Sequence, residues 1–385
     1  MQADFHFGVI YVLARAAGFE PKDAEVIAYS SQYVDDAKHG GFIKFNNYPM
    51  FYHLRTTYTE INKDNFDELS NQQTWIPFHF LPGNRSDKSS EFGYISSLVC
   101  RKNSDLAKAM VNKCIEEKDK GGGLYRLGIV LHVYADTWAH DGFLGTTHSL
   151  NRVTNLEDRT SEAFNLHNIK HYMASLVKKP LEEIEDNLAD TIKRLWKKSE
   201  NDPLDEIENK FLLGHLAALT YPDLPYKKWS YINYWGTKVE RDNTKLFLEA
   251  AEEIYRVLKQ YRDGNPVENT DSIPKDLKEK IEKMFKENCN PNGHIRLANW
   301  LDAIKNGHFG KEYADPALNY IPSGEGSWKH TALLSSDGAD IDSDNIYTCN
   351  INVFENSHWR RFHNAVKAHL HYIINDLMVE KKVCL

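Results

Sequence analysis

The chain has 385 residues, 41% hydrophobic and 26% charged, with a formal net charge of −8. That length can bury a large core, and lysine and arginine scattered along an acidic chain argue against a broad basic surface for duplex nucleic acid. Five cysteines without a Cys-x2-Cys pair argue against a disulfide framework and leave histidine and carboxylate as the ligands for any metal.

In chain order, helices are predicted from Phe7 to Ala17, ended by Gly18, and from Ala24 to Ala37, opened by Pro21 and ended by Gly40-Gly41. Residues 42–90, rich in Asn, Tyr, Phe and Pro, read as irregular. Pro77 and Pro82 place His79 on an extended loop. Helical pattern resumes over Ser96–Glu117, and a further helix starts after Gly121-Gly122-Gly123. Others are predicted near 160–177, 180–198, 204–219, 241–262, 273–288, 295–305 and 355–380. Residues 308–352 read as a long loop or a small hairpin. The expected fold is all-α, a single large helical domain over 1–385. Residues 1–235 form its chemical core, and 236–385 are a helical part packing on it. The chain lacks a basic, apolar leader at Met1-Gln2-Ala3-Asp4-Phe5-His6 and lacks any long apolar run, so no transmembrane segment is expected. As written it reads as cytoplasmic, with export by a route other than a classical signal peptide as the alternative.

The helix after the glycines holds the chemistry. His132, Asp136 and His140 stand at i, i+4 and i+8; each such step turns about 40°, so the three form one row with neighbours about 6 Å apart along the axis. Leu127, Ile129, Val130, Leu131, Val133, Tyr134, Ala135 and Trp138 cover nearly every other face, which predicts a fully buried helix. A carboxylate and two imidazoles there need strong partners, either a divalent metal or a core hydrogen-bond network.

Four more places offer ligands. His6 follows Asp4 and leads into an apolar helix. Asp35 and Asp36 oppose the dipole at a helix C-terminus by roughly 0.3–1 kcal/mol each, and a cation would offset that. His79 lies between Phe78 and Phe80 in a proline-bounded stretch. His215 follows Gly214, and the turn Tyr221-Pro222-Asp223-Leu224-Pro225 could bring Asp223 to it. Together these supply ligands for two or three zinc ions. His167 and His171 form another i, i+4 pair, and His148 follows the central helix. His358, His363, His369 and His371 read as core and surface residues, and Arg55 and Arg126 are candidate cations for a phosphate.

The motifs Asp4-Phe5-His6, Ser31-Gln32-Tyr33-Val34-Asp35-Asp36, Pro77-Phe78-His79-Phe80-Leu81-Pro82-Gly83, His132-x-Tyr-x-Asp136-Thr137-Trp138-x-His140 and Tyr221-Pro222-Asp223-Leu224-Pro225 resemble those of an uncharacterised bacterial domain family. More distantly, the chain is similar to the zinc-dependent phospholipase C and single-strand nuclease superfamily. That resemblance implies a multi-helix bundle with long irregular loops and one to three zinc ions. Their ligands would be the N-terminal amine, His6, Asp36 or its neighbour Asp35, His79, His132, Asp136 as a bridge, His140 and His215. The superfamily's final acid falls on Leu219, so Asp223 stands in for it. Asp36, Asp35 and Asp136 would be the catalytic carboxylates, the first two orienting or deprotonating a water.

The implied function is a zinc-dependent phosphoesterase acting by metal-activated water. Its substrate would be a phospholipid head group, a single-stranded nucleic acid or a smaller phosphodiester. The alternatives are a non-catalytic metal-containing binding or structural protein, or a toxin-type effector using the same site.

Overall fold

The computed structural model describes residues 1–58, 68–84, 93–120, 122–158, 194–198, 202–204, 208–209, 211–264, 272–333, 346–348 and 350–383. The helices predicted at 160–177 and over most of 180–198, with His167 and His171, lie outside these. The fold centres on α5 (Gly123–Ala139), in which every residue from Tyr125 to Ala139 is buried. An apolar sequence on all faces has this outcome, because no face is left that water could solvate without loss. Packed around it are α2 (Pro21–Asp36), α4 (Asp105–Glu116), α6 (Asn243–Asp263) and α11 (His358–His371).

Local signals set the helix ends. Pro21 sits in the first turn of α2. The Ser104 hydroxyl accepts from the Ala107 amide at the start of α4, and Gly264 closes α6 in the left-handed region at φ 72°. The first helix begins as a wide π-helical turn, Asp4–Val9, and runs on into α1 (Ile10–Ala16). Helices α7 (Lys275–Glu287) and α8 (Gly293–Lys305) follow α6, and α8 packs against the Asp4–Val9 turn. After α9 (Trp328–Leu333), α10 (Ile351–Asn356) breaks at Ser357, whose hydroxyl caps α11 by accepting from the Arg360 amide. The chain then turns through Tyr372–Leu377 into α12 (Met378–Glu380).

The fold is not all-α. It is helix-rich but carries two three-stranded sheets. In the first, β1 (Gly41–Phe45) pairs antiparallel with β2 (Phe51–His53), Phe42 opposite Tyr52, and parallel with β6 (Ile346–Tyr347). In the second, β4 (Lys228–Ile232) lies between β3 (Thr154–Asp158) and β5 (Lys238–Asp242), all antiparallel, with Tyr231 opposite Val239. The β4–β5 hairpin turns at Gly236, φ 70°, and its aromatic residues Trp229 and Tyr231 are buried. These strands are only two to five residues long. Those of the first sheet lie in stretches read as irregular because asparagine, proline and glycine interrupt them.

Two further expectations are corrected. Helix α3 (Glu68–Phe78) runs through Pro77, so His79 follows a helix end rather than lying on an extended loop. Pro77 cannot donate to the carbonyl of Gln73, and the helix ends one residue later at Phe78. Residues 211–219 are not a regular helix; Gly214 and Leu219 both have positive φ and confine helical structure to the single turn Leu216–Ala218.

A large core draws on residues from Met1 to Val383, on both sides of residue 235. A smaller cluster of Phe80, Phe143, Trp196, Leu219, Tyr221, Trp229 and Tyr231 packs beneath the second sheet and supports the loop from His215 to Asp223.

Candidate metal centre

Within α5, His132 and Asp136 lie one turn apart on a row that faces the first helix and α2; His140 is the residue that closes the helix. The Asp136 carboxylate is the hub. Its Oδ1 lies 2.5 Å from the Met1 nitrogen and 3.2 Å from His6 Nε2, while its Oδ2 lies 3.3 Å from both His79 Nδ1 and His132 Nε2 and 3.7 Å from His140 Nδ1. Asp35 Oδ1, at the end of α2, stands 3.8 Å from both His79 and His132. A second carboxylate, Asp223, faces His215 Nε2 at 3.4 Å, His140 Nε2 at 3.6 Å and the Met1 nitrogen at 3.2 Å.

The sequence-predicted ligands thus converge, with one exception. Asp36 points elsewhere: it accepts from the Tyr320 hydroxyl at 2.6 Å and from Gln32 Nε2 at 3.0 Å. Asp35 takes the place offered to either acid. Among the described residues, three groups bring one ligand atom per residue within 4.8 Å of one another: His6, Asp35 and His132; His79, His132 and Asp136; His140, His215 and Asp223.

The imidazoles are oriented for this. Nε2 of His79 bonds to the Thr56 carbonyl at 2.9 Å, Nδ1 of His140 to the His79 carbonyl at 2.7 Å, and Nδ1 of His215 to the Leu219 carbonyl at 2.8 Å. A carbonyl only accepts, so each of those nitrogens carries the proton, and the opposite nitrogen is turned to the cluster, the arrangement by which outer partners set metal-binding histidines. His132 Nε2 meets His79 Nδ1 at 3.3 Å, and the His6 ring stacks on His132 with centroids 3.9 Å apart. His6 Nδ1 and His132 Nδ1 are buried with no hydrogen-bond partner, and His6 Nε2 and Asp223 Oδ1, though 3.2 Å from Asp136 Oδ1 and the Met1 nitrogen respectively, are buried without hydrogen-bond geometry to them. Buried orphans of this kind on His and Asp, with no thiolate among them, fit zinc held by nitrogen and oxygen.

Electrostatics follow from burial and proximity. Burial alone would neutralise the Asp136 and Asp223 carboxyls, but the Met1 ammonium and the surrounding histidines hold both below the ordinary carboxylate range. For Asp35 burial wins and its carboxyl is raised. Burial lowers His6 far below 6.5 and takes His215 down to about 4. His79 is raised, its desolvation being outweighed by Asp136 and Asp35. The Met1 ammonium, pushed down by burial, is carried up to about 11 by Asp136 and Asp223.

Two arginines that sequence reasoning missed frame the centre. Arg241 on β5 donates to the carbonyls of Trp138, Ala139 and Asp141 at 2.6, 3.0 and 3.0 Å, closing the C-terminal end of α5 where carbonyls lack intrahelical partners. Arg296 on α8 pairs with Asp4. No local pattern announces either, since each acts across a long stretch of chain. The cations singled out earlier do other work: Arg126 pairs with Glu117 at 2.5 Å, and Arg55 lies over the Tyr58 ring. His148 Nδ1 accepts from the Leu150 amide.

The chain belongs to a family of unknown function, DUF6765, whose model matches residues 1–377. No curated protein and no solved structure matches it, and nothing in the comparisons links it to phospholipases C or single-strand nucleases. Among the described residues no helix is long and apolar enough to cross a membrane.

Proposed function

We propose that this chain is a zinc-dependent phosphoesterase that hydrolyses a phosphodiester by attack of water. The observation that carries the reading is the placement of Asp136, whose two oxygens face different ligand groups in a buried nest of imidazoles. His6, Asp35, His79, His132 and Asp136 would hold the zinc on this side, with Asp136 common to their surroundings. Zinc held there would lower the pKa of a water toward about 7 and draw charge from the phosphoryl oxygens. Asp35 stands at the open side, with 29% of its side chain exposed against 2% for Asp136 and 9% for Asp223. We place the substrate on that side, where Asp35 would orient the water and take its proton. The distant resemblance to the zinc-dependent phospholipase C and single-strand nuclease superfamily agrees with this chemistry. The non-catalytic alternative rests on Leu219 standing where an acid is expected, and Asp223 answers it with a carboxylate 3.4 Å from His215.

The test is elemental analysis of the purified protein with a chromogenic phosphodiester assay. Wild type should carry zinc and turn over. Asp136→Ala and Asp35→Asn should each lose more than about 100-fold in activity, while Asp36→Asn stays within about threefold. A zinc-free wild type, or activity surviving in Asp136→Ala, would sink the proposal.

A further inference from the structure

We infer that Arg296 is a positioning residue for the metal centre: by clamping Asp4 it fixes the path of the N-terminal segment, so that His6 Nε2 and the Met1 nitrogen converge on Asp136. The inference rests on the metal-centre reading above and extends it to the C-terminal part of the chain.

Arg296 is fully buried on α8. Its Nε and Nη2 grip the two Asp4 oxygens at 2.8 Å each, Nη2 also reaches Gln2 Oε1 at 2.9 Å, and Nη1 donates to the Asn290 carbonyl at 2.6 Å. Helix α8 also touches the segment on both sides of His6 with no room to spare. A Cβ on Gly293 would lie 2.7 Å from Gln2 Oε1, and one on Gly8 would lie 2.9 Å from Trp300 Cβ. The arm is therefore held in register at Gln2, Asp4 and Gly8, and His6 lies within that span.

A buried ion pair is a poor way to gain stability, because desolvation of both ions offsets their attraction, and apolar replacements are often neutral or better. What the bidentate fork supplies instead is a single geometry. Asp4 is thereby explained as the residue that places His6 rather than as a ligand.

The experiment uses the full chain with Asp4 and Arg296 replaced together, D4L/R296M, so that no buried charge is left unpaired. Arg296→Lys, which keeps the charge but loses the fork, is the second variant. Folding is followed by circular dichroism, zinc affinity by chelator competition, and the exposure of His6 in metal-free protein by diethyl pyrocarbonate modification read by peptide mass. Both variants should fold. Zinc affinity should fall about 10–100-fold in D4L/R296M and less in Arg296→Lys. His6 should react at least about tenfold faster in the double variant, while buried His369, away from the arm, stays protected. Wild-type zinc affinity and a protected His6 in either folded variant would overturn the inference. A wild type that binds no zinc would instead overturn the proposed function, and His6 protection would still decide the role of Arg296.

Discussion

At Gly128 α5 lies against α2 with no room for a side chain, and replacing it with alanine tests how the centre is assembled. A Cβ there would lie 2.4 Å from the Ile27 carbonyl oxygen, 2.6 Å from Ser30 Cβ and 3.1 Å from the Ser31 amide. Two of these are backbone atoms of α2, so the helices must separate by about 1 Å to reach ordinary contact. One turn further along the same pair of helices stand Asp35 and His132, 3.8 Å apart. Two donors on one tetrahedral zinc with bonds near 2.1 Å lie roughly 3.4 Å apart. The present spacing is close to that, whereas a spacing about 1 Å wider is not. Helix propensity favours alanine by about 1 kcal/mol, and overpacking disfavours it by about 1–3 kcal/mol. For 385 residues the unfolding entropy is on the order of 0.8 kcal/mol/K, so a net cost of at most about 2 kcal/mol should lower Tm by no more than about 2.5 °C. Zinc affinity, measured by chelator competition, should fall much further, by at least about tenfold. Unchanged affinity in Gly128→Ala would show that the α2–α5 distance does not set the site.

Two other outcomes follow from the same coordinates. Leu219 is buried yet held at φ 55°, ψ −138°, a region that side chains avoid. Leu219→Gly should therefore have a higher Tm than Leu219→Ala, by the equivalent of about 1 kcal/mol, and alanine as the more stable would show that the turn is unstrained. Burial holds His369 down at about 4, with its Nε2 bonded to the Pro77 carbonyl. Its folded pKa is below its unfolded value, so the penalty is absent above about pH 6.5, grows by about 1.4 kcal/mol per pH unit on acidification and levels off below about 4. Denaturant melts of His369→Gln should show a shallower acid loss than wild type over that window; parallel curves would count against the assignment.

The row on α5 was legible because its signal is local: an apolar pattern closes every face, and three polar residues share one spacing. The choice between Asp35 and Asp36 was not. Adjacent residues on a helix differ by about 100°, and which of them faces α5 depends on how α2 docks at Gly128 and on Tyr320, far along the chain, which takes Asp36. Asp223 could be suggested by its turn but not placed. The strained Leu219 shortens the path from His215, so an acid eight positions on reaches where one four positions on was expected. The β4–β5 strands carry a short alternating signal, Trp229 and Tyr231 alternating with Lys228 and Ser230, but five residues of it fall between two predicted helices and do not by themselves define a sheet. The two-residue β6 and the arms of Arg241 and Arg296 exist only through long-range pairing, which no window of sequence contains.

The charge in the centre argues for a cation in a way that distances alone do not. Asp136 and Asp223 are held ionised, His6 and His215 are held neutral, and the Met1 ammonium is shared between both carboxylates. His79, His140 and His215 have their outer nitrogens committed to carbonyls, so none can turn to find another donor. His79 Nδ1 and His132 Nε2 consequently meet at 3.3 Å with Asp136 Oδ2 beside them, and a proton or a metal must join the three. Asp136 and Asp35 raise the pKa of His79, which favours a proton there in metal-free protein. Zinc must displace it, so binding releases a proton and affinity rises with pH until His79 is neutral in the metal-free state. Titration calorimetry in two buffers of different ionisation enthalpy measures that release directly. Zinc binding with no proton released below neutral pH would mean that the metal lies elsewhere.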